Sequence, residues 1–175
     1  TECILGEGFD ALHAHSLYMG CVGWMKFFPD GTISEKRLDK AVVAAQRELE
    51  PFIQDFRTLG WEHALGSSGS ILAIESILRE NNWSSAGITA KGLRKLRKQT
   101  GKAGHVDKLE LPGLKSDRAA VLPGGFAILS ALVDALEIEQ IFGASGALRE
   151  GVLHDLTRRL HSDDRREATV RRMMD

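Results

Sequence analysis

The sequence predicts an α/β fold with a mixed sheet and flanking helices, and three observations carry that expectation. Two strand-like runs open the chain as a hairpin, long stretches with helical apolar spacing follow, and two short apolar runs each end in glycine and small residues just ahead of a helix-like stretch. Strand, glycine turn and helix in that order, repeated after a hairpin, belong to layered α/β architectures and not to helix bundles.

Glu2 to Leu5 and Ala11 to Met19 read as antiparallel strands joined by Gly6-Glu7-Gly8-Phe9-Asp10, a run of turn formers. In the second strand Leu12, Ala14, Ser16 and Tyr18 alternate with His13, His15, Leu17 and Met19, so neither face is cleanly polar. Both faces are expected to be covered and the strand to lie centrally in its sheet. Thr32-Ile33-Ser34-Glu35 fits a capping box, and Leu38, Val42, Ala45, Leu49 and Phe56 recur on one face of a long helix bent at Pro51. Trp61 to Leu65 is a short strand, followed by a glycine–serine turn and a helix from Ser70 to Glu80 with Ile71, Ile74, Ile77 and Leu78 inward. A third helix starts at Thr89, and a fourth runs from Ser116 or Pro123 to Leu136. Ile138 to Phe142 is a further strand, running into Gly-Ala-Ser-Gly-Ala-Leu-Arg-Glu-Gly and a helix through Leu160.

At 175 residues and 43% hydrophobic, the chain can bury one ordinary core or two small lobes. A formal net charge of -1 gives no long-range field to collect nucleic acid or a membrane surface, so neither is expected as a partner and any polyanion site must be local. No apolar run approaches the roughly 20 residues that span a bilayer and the chain carries no leader, which points to the cytoplasm. Cys3 and Cys21, the only cysteines, read as buried thiols.

The chemistry concentrates in Gly66-Ser67-Ser68-Gly69-Ser70. A strand that ends in such residues before a helix exposes backbone N–H groups and the positive end of the helix dipole together, and phosphate is the natural ligand. An N-capped turn with no ligand requires the same residues, and spacing alone leaves the two readings level. No lysine follows Gly69, which excludes a P-loop; Gly-x-Gly-x-x-Gly is absent; and Ser70 stands where a nucleophile elbow needs glycine. Lys91, Arg94, Lys95, Lys98 and Lys102 form a basic stripe opposite Leu93 and Leu96, either a solvated face or a track for a phosphate chain. His13 and His15 share a strand face but have no third ligand nearby in sequence, so a structural role is favoured; His63, His105, His154 and His161 are scattered.

Together these residues resemble the exopolyphosphatase and guanosine pentaphosphate phosphatase (Ppx/GppA) family over nearly the whole chain. Ser16 to Val22 is similar to a strand of the family's second lobe, Gly60 to Ile74 to its Gly-Thr-Ser-Gly-Thr loop, and Leu111 to Leu129 with Gly146 to Leu156 to its last third. The Gly-Ala-Leu-Arg-Glu-Gly run is the most specific signal.

The resemblance implies an RNase-H-like lobe of the actin, hexokinase and sugar-kinase superfold, with residues 1–175 as the second of two lobes and the first absent from this chain. Thr1-Glu2 resembles the tail of the family's Asp-x-Gly-Gly-Gly-Ser-Thr-Glu motif, which implies phosphate contact for Thr1 and places Glu2 beside magnesium and the attacking water, as the catalytic residue. Phosphate contacts are implied for Gly66, Ser67, Ser68, Gly69 and Ser70, with Gly143 to Gly146 as a second approach through small residues. Arg149 and Glu150 match the family run, and an ion pair holding the loop is the favoured role for them. The implied reaction is hydrolysis of a terminal phosphoanhydride of polyphosphate or guanosine pentaphosphate with Mg2+, in a full-length homodimer, the isolated piece being inactive. A lobe that binds a nucleotide or alarmone without hydrolysis, or that serves dimerisation through its apolar-faced helices, is the alternative.

Overall fold

Glu2–Glu7 (β1) and Asp10–Ser16 (β2) pair antiparallel, with Glu2 opposite Ser16 and a register shift between Leu5 and Gly6. The computed structural model describes residues 1–8, 10–146, 149–153 and 156–157, which fall into two units, Thr1–Gly143 and Ala144–Asp175. In the first unit β2 ends at Ser16 instead of reaching Met19. The Met19 amide donates back to the Leu17 carbonyl at 2.7 Å, a γ-turn that breaks the extended backbone and sends Leu17 and Met19 into the core.

The helix expected after Thr32 forms as Glu35–Leu49 (α1), but its cap is Ser34, whose Oγ accepts from the Arg37 amide at 3.3 Å. Glu35, which a capping box would turn back onto the helix start, instead accepts from Arg97 at 2.8 Å, and Thr32 bridges to His105. The bend at Pro51 is a full break, and the chain resumes as Ile53–Leu59 (α2), ended by Gly60 at φ 68°.

The second sheet is short and mixed. Ala64–Gly66 (β3) lies parallel to Gln140–Gly143 (β5), and the unforeseen two-residue strand Ile88–Thr89 (β4) pairs antiparallel on the other side of β5. Gly69–Glu80 (α3) and Ala90–Ala103 (α4) follow their strands directly, α4 capped by the Thr89 hydroxyl, which accepts from the Gly92 amide at 3.1 Å. The fourth expected helix divides into Ser116–Ala119 (α5) and Leu122–Ala135 (α6).

α6 is apolar on every side and buried along most of its length, the pattern of a helix at the centre of a core. It packs on α1, α3 and α4. The apolar residues of α1, α3 and α4 that face α6 are buried inside the chain. The Trp24 indole fixes one edge of this core by donating to the Ala41 carbonyl at 3.0 Å.

β2 departs from its expected central place. Among the described residues it pairs with β1 alone and is largely exposed, with Leu12 at 51%. The mixed character of its faces has another origin: His13 and His15 turn toward Phe52 and Phe56, while the opposite face is open. In the second unit residues 149–153 are helical; His154, residues 158–160 of the expected helix and His161 lie outside the described residues. No helix among the described residues is long and apolar enough to cross a membrane.

Candidate functional site

The glycine–serine stretch is the turn between β3 and α3, and α3 starts within it. Ser68 is the cap: its Oγ accepts from the Ile71 amide at 3.2 Å and its carbonyl accepts from the Leu72 amide at 3.0 Å. The capping reading therefore holds for Ser68, whose hydroxyl is committed to its own helix. Gly69 and Ser70, the first residues of α3, carry amides of the kind a helix leaves unpaired at its start. Ser67 is exposed beside them.

The two glycines of the turn are small for different reasons. Gly66 is buried, and a Cβ there would collide with the Ile71 side chain, so its smallness serves packing and not approach of a ligand. Gly69 is exposed, but the space over it is taken by a guanidinium: a Cβ would come 2.9 Å from Arg118 Cζ and Nη1. Arg118 stands on α5 with its Nε 3.4 Å from the carboxylate of its chain neighbour Asp117. In the sequence Arg118 lies within the Leu111 to Leu129 stretch that resembles the family. The signal it offered was a lone arginine between Lys-Ser-Asp and an apolar helix, indistinguishable from a surface charge until the fold brings α5 beside α3.

These groups line a cleft of about 590 Å³ that also holds Thr1, Glu2 and Gly20. Glu2 opens β1 with its side chain 73% exposed, and is the one carboxylate among the described residues lining the cleft. Thr1 is held at the rim by a 2.7 Å bond from its Oγ1 to the Met19 carbonyl. The floor is apolar, built from Ile128, Leu129 and Leu132 of α6, with Gly125 packed so closely on Ser70 that a Cβ there would stand 2.8 Å from its Oγ. Cationic and donor groups, one carboxylate and an apolar floor line the same cleft, a set of groups that suits an oxyanion and an acceptor for a proton.

A model of the Ppx/GppA phosphatase family matches residues 1–160. The chain belongs to the Ppx/GppA phosphatase family. Guanosine-5'-triphosphate,3'-diphosphate pyrophosphatases of Vibrio vulnificus and Aeromonas hydrophila are each 39% identical to it over 171 residues, covering 97% of this chain and 34% of theirs. The chain thus spans about a third of those Ppx/GppA relatives. Among solved structures, the Aquifex aeolicus Ppx/GppA enzyme superposes with a TM-score of 0.69 at 19% identity, covering 87% of this chain and 52% of that one. An exopolyphosphatase from Cytophaga hutchinsonii gives 0.71 at 17%, covering 89% and 53%. The fold class expected of this family, an α/β lobe of the RNase-H-like kind, is the one observed.

Within that Ppx/GppA lobe the remaining expected site residues separate. Gly143 does not offer a free approach, because its amide donates to the Glu75 carboxylate at 3.0 Å. Gly146 belongs to the second unit, where it is exposed and has no described neighbour within 4 Å of where its Cβ would stand. In that unit the Arg149 and Glu150 side chains, exposed chain neighbours, stand 3.8 Å apart. Lys91, Arg94, Lys95, Lys98 and Lys102 are exposed on α4 and none lines the cleft, whereas Arg97, off the stripe, is bound by Glu35 and Asp39. Cys3 and Cys21 are half-buried instead of buried, and burial raises the Cys3 thiol above its ordinary pKa.

Proposed function

We propose that this chain, as the second lobe of a larger protein, supplies one wall of a cleft that hydrolyses a terminal phosphoanhydride. The observation that carries the proposal is the sharing of one cleft by Glu2, the α3 N-terminus and Arg118. The relatives' names favour guanosine pentaphosphate as substrate. Inorganic polyphosphate presents the same terminal group and is the second candidate. A cytoplasmic, homodimeric protein completes the proposal.

In this reading the amides of Gly69 and Ser70 donate to equatorial oxygens of the terminal phosphate, and Arg118 adds charge-assisted donors as negative charge shifts toward the leaving oxygen. Glu2 orients a water and accepts its proton as the water oxygen bonds to phosphorus. The bond to the bridging oxygen breaks and its electron pair leaves with the remaining phosphate chain. Ser67 contributes a hydroxyl at the rim, and Thr1 fixes the strand that carries Glu2.

Mg2+ fits the donor set in a limited way. One exposed carboxylate is what this ion commonly takes from a protein when phosphate oxygens and water complete its shell, and Glu2 would hold it. When bound it neutralises charge on the phosphate oxygens. The rest of the machinery is assigned to residues beyond this chain, so these residues alone should not turn over.

The test is phosphate release by the full-length protein from guanosine pentaphosphate and from polyphosphate in parallel. Glu2→Gln should lose rate while retaining ligand. Absence of release from both substrates, or an unchanged rate in the variant, overturns the proposal; unchanged rate with intact binding would instead indicate a lobe that senses its ligand.

A further inference from the structure

His13 and His15 stand two residues apart on β2, so their imidazoles project from the same face of the strand. That face meets α2, and there the fold supplies the third ligand that sequence spacing lacked. One donor atom each from His13, His15 and Asp55 all lie within 4.8 Å of one another.

The surroundings of this cluster are unlike those of a surface histidine pair. The His15 ring packs on Phe52 with centroids 4.2 Å apart and lies 5.8 Å from Phe56, which fixes its plane. Its Nε2 is closed off from solvent and has no hydrogen-bond partner among the described residues. An orphaned ring nitrogen is a costly feature unless something occupies it. His13, with its ring 6.2 Å from that of His15 and 6.5 Å from Phe56, leans over the same spot. Asp55 is exposed and can rotate inward.

We propose that His13, His15 and Asp55 bind a divalent transition-metal ion of the zinc and cobalt class. Two imidazoles and one carboxylate form a borderline donor set that suits these ions and not magnesium, which demands oxygen ligands. Bonds of about 2.0–2.1 Å in tetrahedral geometry bring ligands to about 3.3 Å from one another, so modest side-chain rotation closes the cluster. A tetrahedral ion has one further position beyond these three ligands. None of the three residues lines the cleft that holds Glu2. The ion would join the β1–β2 hairpin to α2, two elements that already meet through the His13 and His15 rings on Phe52 and Phe56 and through Leu5 in one cluster with Phe56.

The experiment uses the full-length protein without a polyhistidine tag, stripped with chelator and titrated with Co2+. A single equivalent should produce the visible ligand-field absorption of four-coordinate cobalt, bleached by Zn2+ and insensitive to excess Mg2+. His13→Gln should abolish the band, and Asp55→Asn, a change at an exposed residue, should weaken binding by about tenfold or more while leaving the circular dichroism spectrum unchanged. No band, or a band that survives both substitutions at unchanged affinity, overturns the site. Because the readout is spectroscopic, failure here leaves the hydrolase proposal intact.

Discussion

The Arg118 guanidinium covers Gly69, so closely that a Cβ on Gly69 would stand 2.9 Å from Arg118 Cζ. The pair couples the start of α3 to a cation from a different helix. Gly69→Ala should push the guanidinium aside and weaken binding of guanosine pentaphosphate, while stability holds or rises by about 0.4–1 kcal/mol because the unfolded chain loses freedom. Calorimetric affinity and a urea melt on the same protein read the two effects separately.

Arg118→Ala removes charge-assisted bonds that are worth about 1.5–3 kcal/mol, so affinity should fall by roughly 10- to 100-fold. Arg118→Lys keeps the charge without the planar fork and should fall between the two. Equal affinity in all three proteins would remove Arg118 from the site.

Gly66→Ala should destabilise the fold by about 1–3 kcal/mol, because the new methyl collides with Ile71 in a filled space. Gly146→Ala, with no described neighbour within 4 Å of the new methyl, should change stability by less than about 0.5 kcal/mol. Paired denaturant midpoints decide whether these two glycines differ as the packing requires.

Charge reversal at Lys95 and Lys98 together should leave the affinity for guanosine pentaphosphate within about twofold, since exposed charges outside the cleft are screened. A large loss would return the α4 stripe to the binding surface.

Cys3 should alkylate with a pH profile displaced upward from that of a free thiol, because burial disfavours its thiolate. With the folded pKa above the unfolded one, the native state holds the extra proton, so the stability this thiol contributes is fully present below the unfolded pKa and is lost as pH rises through the folded one. Mass spectrometry of iodoacetamide-labelled protein across alkaline pH follows the thiol directly.

Much of this fold was legible because its helices are amphipathic and its glycines stand at strand ends. α1 and α3 follow their apolar periodicities, and Thr89 caps α4 as its position suggested. What escaped was what only tertiary pairing decides. A two-residue strand at Ile88–Thr89 carries no periodicity, and Ser34 displaced Thr32 as the cap because Glu35 found Arg97, 62 residues away. The site was legible in its turn and not in its company. Arg118 reaches Gly69, and Asp55 reaches the two histidines, only after α5 and α2 dock, so spacing along the chain held no trace of either meeting.

Gly66 and Gly143 are register partners at the ends of adjacent parallel strands, yet the two ends have opposite fates. At Gly143 the amide already holds a carboxylate, that of Glu75. Glu75 thus occupies the donor that a second anion would need at that strand end. Under the proposed function this gives the substrate a polarity: its terminal group lies toward Ser67 to Ser70 and its tail is turned away from the Glu75 carboxylate beside β5.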